Sequence, residues 1–193
     1  MRPLSSFGAI PLAAALLIVM TDVAGADALA PPGRSERSVV ICGGAHYARV
    51  YTETDTAWGY TFEAVFPPGS VAQLTRALGD RGFGMALRYN KTFVENVGKF
   101  EGGEIGFRRY LDRGGSESRR LWWGAGFGQH IVRLDGESGG KSTWSLHLDA
   151  GIEWEPSERF LLQLELVNRS LEFSTDSFSA SSLILTLGTR IDP

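Results

Sequence analysis

From residue 39 onward, apolar and polar side chains alternate with a period of two, the pattern of strands that show one face to an apolar medium and the other to a polar one. The clearest stretch places Trp144, Leu146, Leu148, Ala150, Ile152 and Trp154 on one face, with Ser145, His147, Asp149, Gly151, Glu153 and Glu155 on the other. Phe160, Leu162, Leu164 and Leu166 oppose Gln163, Glu165 and Arg169 in the next segment. Leu183, Leu185, Leu187 and Ile191 then oppose Thr186, Gly188 and Arg190. Earlier, Phe83, Met85, Leu87 and Tyr89 oppose Gly84, Ala86, Arg88 and Asn90, and Trp58, Tyr60, Phe62, Ala64 and Phe66 oppose Thr61 and Glu63. The pattern predicts eight strands, over 39–52, 58–66, 82–93, 103–111, 120–134, 142–155, 159–173 and 181–191. Clusters such as Pro67-Pro68-Gly69 and Gly136-Glu137-Ser138-Gly139-Gly140 separate them as turns. One stretch, 70–78, has helical spacing, with Val71, Leu74 and Leu78 on one face.

The start of the chain reads as an address. Arg2 precedes an apolar run at 12–20 that is too short to span a bilayer as a helix. Ala24-Gly25-Ala26 then fits a small-residue cleavage site. The expected organisation is a signal peptide at 1–26, a Pro- and charge-rich linker at 27–38 and a single barrel domain at 39–193. No later apolar run is long enough for a membrane helix, so a membrane-spanning form has to be a closed barrel, whose strands satisfy one another's backbone groups.

Composition narrows the function classes. With 43% hydrophobic and 21% charged residues the chain is not of disordered type. A mean hydropathy of −0.07 is too low for a helical membrane protein but suits a barrel in which alternate residues face lipid. The net charge of −3 and a pI near 5.7 offer nucleic acid no basic stripe, and none is expected as a partner. Cys42 is the single cysteine and has no partner for a disulfide or a metal, so no cofactor or metal is expected.

Alternation alone does not say which face is outside. A soluble lipocalin-like barrel binding an apolar ligand would turn the leucine face inward; a membrane barrel does the reverse. Trp144 and Trp154 bracket one apolar face, and the strand between them spans about 25 Å, the height of a lipid-facing band. Trp123 and Phe160, at the ends of their segments, complete the expected aromatic girdle. The opposite face mixes small residues, such as Gly124, Gly126 and Gly128, with charges of both signs, as a narrow lumen requires. The very short Pro156-Ser157-Glu158 connection and the longer one at 174–180 fit periplasmic turns and outer loops. The long 67–81 connection, with its helix at the periplasmic rim, does not.

The chain resembles the small outer-membrane β-barrel families of the OmpX and opacity-protein type. The resemblance is carried by Trp122-Trp123-Gly124-Ala125-Gly126-Phe127-Gly128, by Leu148-Asp149-Ala150-Gly151-Ile152-Glu153-Trp154, and by Leu187-Gly188-Thr189-Arg190. It implies an all-β, eight-stranded antiparallel up-and-down transmembrane barrel with one short periplasmic helix, monomeric in outer-membrane lipid. The implied role is non-enzymatic, through surface loops that meet a surface or envelope partner in adhesion, surface protection or envelope integrity. The family usually closes on an aromatic residue, where this sequence has Ile191-Asp192-Pro193.

Two constellations could carry chemistry. His130, Ser145, His147 and Asp149 share the polar face and are the candidates for a hydrolase triad. Three of them lie on one strand at two-residue steps, which spreads the side chains, and a hydrogen-bonded luminal network accounts for them better. Barrel enzymes that modify lipid A carry a His-x-Ser-Asn signature, whereas His130 is followed by Ile131, Val132 and Arg133. The second constellation is the luminal charge set Glu63, Arg88, His147, Asp149, Glu153, Glu165, Arg169 and Arg190. Counting back from a turn at Pro156-Ser157 sets Asp149 opposite Glu165, with Arg190 on the next strand as the base between them. Eight strands leave an interior just wide enough for such side chains to fill, so the lumen is expected to be closed.

Overall fold

A computed structural model describes residues 39–50, 56–66, 83–95, 97–111, 119–136, 138–157, 159–172 and 177–191. They form eight strands: β1 (Val39–Val50), β2 (Thr56–Phe66), β3 (Phe83–Val94), β4 (Gly98–Leu111), β5 (Arg119–Leu134), β6 (Lys141–Trp154), β7 (Phe160–Glu172) and β8 (Ser177–Ile191). Each pairs antiparallel with its sequence neighbours, and β8 pairs with β1, so the sheet closes into an up-and-down barrel without a free edge. The shortest strand has 11 residues and the longest 16. About 9–11 tilted residues cross a hydrocarbon core, so every strand is long enough. The signal peptide, the linker and the 70–78 helix lie outside the described residues.

The polarity of the barrel is inside out. Large apolar side chains stand on the outer wall, with Trp58 64%, Leu146 65% and Leu187 60% exposed. The interior holds Glu63, Arg88, Glu104, Arg108, Glu165 and Arg169, all buried. Water would not tolerate that outer wall, whereas lipid requires it. This excludes the soluble lipocalin-like arrangement, in which the leucine face turns inward.

The narrow lumen is packed by a simple rule: a large inward side chain lies across a glycine on the adjacent strand. His147 on β6 covers Gly126 on β5, where an added Cβ would come 2.5 Å from the imidazole and 2.2 Å from the carbonyl oxygen of Ile105. Asp149 covers Gly124, and Trp122 covers Gly151 in the same way. The glycines between the strand alternations are thus the seats of the luminal side chains.

Two strands, β4 and β8, extend four or five residues beyond their sequence pattern. β4 begins at Gly98, not at residue 103: Gly98, at φ +141°, pairs with Val94, and the Val97 N–H donates to the Val94 carbonyl at 3.2 Å. That conformation suits glycine alone. On the added segment Glu101 faces outward and pairs with Lys91 at 3.2 Å, so charge replaces the apolar signal there. β8 begins at Ser177 because the serine-rich 177–180 pairs with 169–172 of β7. The connection expected at 174–180 therefore shrinks to 173–176.

Candidate functional site

Among the described residues polar chemistry converges in the lumen, and its organisers are three arginines. Arg88 on β3 donates to Glu63 on β2 from Nε at 3.1 Å and from Nη2 at 2.9 Å. The same guanidinium reaches Glu104 on β4 at 3.5 Å, Asp149 on β6 at 3.7 Å, and Glu165 on β7. In an eight-stranded barrel β3 and β7 face each other across the full diameter, so Arg88 bridges the lumen from wall to wall. Arg108 on β4 bonds Glu63 at 2.5 Å and Gln163 at 3.2 Å, approaches Glu165 at 3.5 Å, and lies over the Trp122 ring at 3.9 Å. Arg169 on β7 grips Glu104 with two bonds, 2.6 and 3.1 Å, and donates to Ser182 at 3.2 Å. Bidentate guanidinium–carboxylate pairs of this kind are the strong members of their class. They are also what a desolvated lumen demands, since an unpaired charge there would be very costly.

Polar pairs flank this core along the barrel. On the side facing the β1–β2 hairpin, His46 Nε2 meets Thr92 Oγ1 at 2.8 Å, and Thr61 donates to Asn90 at 2.8 Å. On the side of the chain termini, Tyr110 donates to Glu153 at 2.9 Å and Arg120 approaches Glu153 at 3.0 Å. Glu155 there accepts from both Arg120, at 2.7 Å, and Arg190, at 3.2 Å.

Of the charge set read from the sequence, Glu63, Arg88, His147, Asp149, Glu153, Glu165 and Arg169 are buried in the lumen. Arg190 is not where the count placed it. The β6–β7 connection is 155–159, so Trp154 pairs with Leu162, Asp149 lies opposite Val167, and Glu165 lies opposite Gly151. The base between Asp149 and Glu165 is Arg88; Arg190 sits at the rim with Glu155. Glu104 and Arg108 were missed. Their signal lay in β4, where Glu104, Gly106, Arg108 and Tyr110 alternate with Ile105, Phe107 and Arg109.

The candidate triad does not assemble. His130 Nε2 meets Ser145 Oγ at 2.9 Å, but the same nitrogen faces Glu104 Oε1 at 3.3 Å. A relay needs the acid on the other ring nitrogen, and His130 Nδ1 has no partner. His147 and Arg88 each approach Asp149 Oδ2 at 3.7 Å, too far for a hydrogen bond, so Asp149 orients neither imidazole. All four side chains are buried, away from any substrate.

On the outer wall, Trp144, Trp154 and Phe160 are exposed, as a girdle requires. Trp123 departs from that level: it pairs with Ala150, four residues from Trp154 along β6, and is only half-buried. Trp58, stacked on Phe93 at 4.7 Å, adds an aromatic pair at the end opposite the termini.

No protein-family description matches the chain, and no curated protein sequence does. Solved structures do. The chain is similar to Ail, the attachment invasion locus protein of Yersinia pestis, at 17% identity and TM-score 0.53, over 81% of this chain and 100% of that one. It is similar to Neisserial surface protein A at 13% identity and TM-score 0.55, over 82% and 98%. The N-terminal barrel domain of Pseudomonas aeruginosa OprF matches at 15% identity and TM-score 0.52, over 82% and 100%. The fold is that of the small eight-stranded outer-membrane barrels. At these identities the likeness is one of architecture, and the luminal network is a property of this sequence.

Proposed function

We propose that the protein is a non-enzymatic, closed barrel of the bacterial outer membrane that acts as a monomeric structural element of the envelope. The observation that carries this reading is the Arg88–Arg108–Arg169 network, which ties β2, β3, β4, β6 and β7 together across the lumen. A channel or a catalytic cleft would need open space where these side chains meet.

The length of the connections favours envelope integrity over adhesion. Eight strands place the start of β1 and the end of β8 at one end of the barrel, together with connections 67–82, 112–118 and 155–159. A barrel inserted from the periplasm keeps that end on the periplasmic side. The outward connections are then 51–55, 95–97, 135–140 and 173–176, all short. Outer loops of an adhesive barrel have to reach a partner beyond the lipid surface, and these have little chain with which to do so. The longest connection, 67–82, belongs to the periplasmic side, where an envelope partner would be met.

Fractionation combined with a heat-shift gel tests the reading. The protein is expected in the outer-membrane fraction, with unboiled and boiled samples migrating apart. Recovery in the soluble periplasm would contradict it.

A further inference from the structure

A groove runs obliquely around the outer wall, between two rows of outward side chains in hydrogen-bonding register. One row is Ala64, Leu87, Ile105 and Phe127; the other is Phe62, Tyr89, Gly103, Gln129 and Trp144. Gly103 notches the second row. A Cβ there would meet nothing nearer than the Arg88 carbonyl oxygen at 3.9 Å, so the wall is open at that point. Farther along the same strands, toward the end opposite the termini, the outward residues become cationic. Lys99 stands directly opposite Arg133, and Lys91 directly opposite Glu101. Glu101 is shared by Lys91 at 3.2 Å and Arg133 at 2.7 Å. Lys91, Lys99 and Arg133 thus gather around Glu101, and among the described residues Lys99 makes no ion pair within 4 Å, with Glu95 and Asp135 standing at the strand ends beyond it. The Arg133 side chain is 45% exposed and binds Glu101 through one terminal nitrogen, with further N–H donors to offer.

We propose that this wall binds a phosphate-bearing lipid of the outer leaflet, with an acyl chain along the groove past Gly103 and the phosphate held by Lys99 and Arg133. The proposal rests on the membrane-barrel reading. Geometry supports the pairing of chain and headgroup: Lys99 lies four residues from Gly103 on β4, about 13 Å along the strand toward the outer surface. Charge selects the headgroup. Like charges set directly opposite on neighbouring strands repel, and an anion between Lys99 and Arg133 relieves that repulsion. A zwitterionic headgroup brings its own cation and relieves less of it.

The test uses the mature barrel in phosphatidylcholine bilayers with trace spin-labelled phosphatidic acid or phosphatidylcholine, and reads the motionally restricted lipid fraction. Wild type should prefer the phosphate lipid at least about fivefold, the effect of roughly one well-placed cation at a membrane surface. The Lys99→Gln/Arg133→Gln variant should lose that preference. Gly103→Leu should weaken it with the charges intact, and Arg119→Gln, at the opposite end, should not. Inorganic phosphate should not displace the lipid; displacement would assign the site to a free anion and overturn the proposal. A restricted fraction without headgroup preference, or a preference that survives the double substitution, overturns the site alone. No restricted fraction for either lipid would overturn the membrane-barrel reading with it.

Discussion

Arg108→Met should be among the most destabilising single substitutions in this barrel. The guanidinium is fully buried between Glu63 at 2.5 Å and Glu165 at 3.5 Å, with Gln163 beside it and the Trp122 ring beneath. At an effective dielectric near 20, each of these two carboxylates attracts the charge by about 5–7 kcal/mol. Stripping water from the guanidinium offsets much of that gain, which is why a buried pair contributes little compared with an apolar replacement of both partners. Removing one partner is different, because Glu63 and Glu165 then stay buried with too few cations around them. The expected cost is about 3–5 kcal/mol. Arg190→Ala should cost less, about 2 kcal/mol or under, because Glu155 keeps Arg120 at 2.7 Å. Urea unfolding of the barrel from vesicles, followed by tryptophan fluorescence and a heat-shift gel, measures both. The pair Arg108→Met/Glu63→Gln should be less damaging than the two single costs added, since it removes opposite charges together. Arg108→Met within about 1 kcal/mol of wild type would mean that the lumen is solvated enough to tolerate an unpaired carboxylate.

Two further outcomes follow from the placement of side chains. Leu148 faces lipid near the middle of β6, so Leu148→Arg should cost about 2–4 kcal/mol in vesicles, while Ser138→Arg in the exposed β5–β6 connection should cost little; equal effects would contradict the facing of β6. Cys42 is 1% exposed on the luminal side, against Gly188, so a membrane-impermeant maleimide should label it in urea and not in the folded barrel; rapid labelling of the folded form would mean a wet lumen.

The alternation of β6, from Trp144 to Trp154, made both its strand and its two faces legible, because period-two patterning is a local property. The same holds for Glu63, Arg88 and Glu165, whose inward parity could be read without knowing their partners. Parity does not give register. The placement of Asp149 against Glu165 failed because it assumed a turn centred at 157, and a connection two residues longer slid β7 past β6 by one inward step. With it went the role assigned to Arg190, since the base that meets Asp149 and Glu165 comes from β3, on the far side of the lumen. Contacts across a barrel depend on closure and stagger, which no single segment encodes. Glu104 and Arg108 were readable in principle, as inward partners of outward Ile105 and Phe107. The glycines interleaved there blunt the contrast between faces, and each such glycine is explained only by the side chain lying across it.

Whether the guanidinium–carboxylate network closes the lumen can be read by planar-bilayer recording of the purified wild-type barrel. The network spans the interior from β3 to β7 and from β4 to β7, with the His46–Thr92 and Tyr110–Glu153 pairs beyond it on either side. A closed lumen leaves the bilayer holding inserted protein without stable conductance steps. Reproducible, porin-like steps in the wild type would mean that the lumen is open.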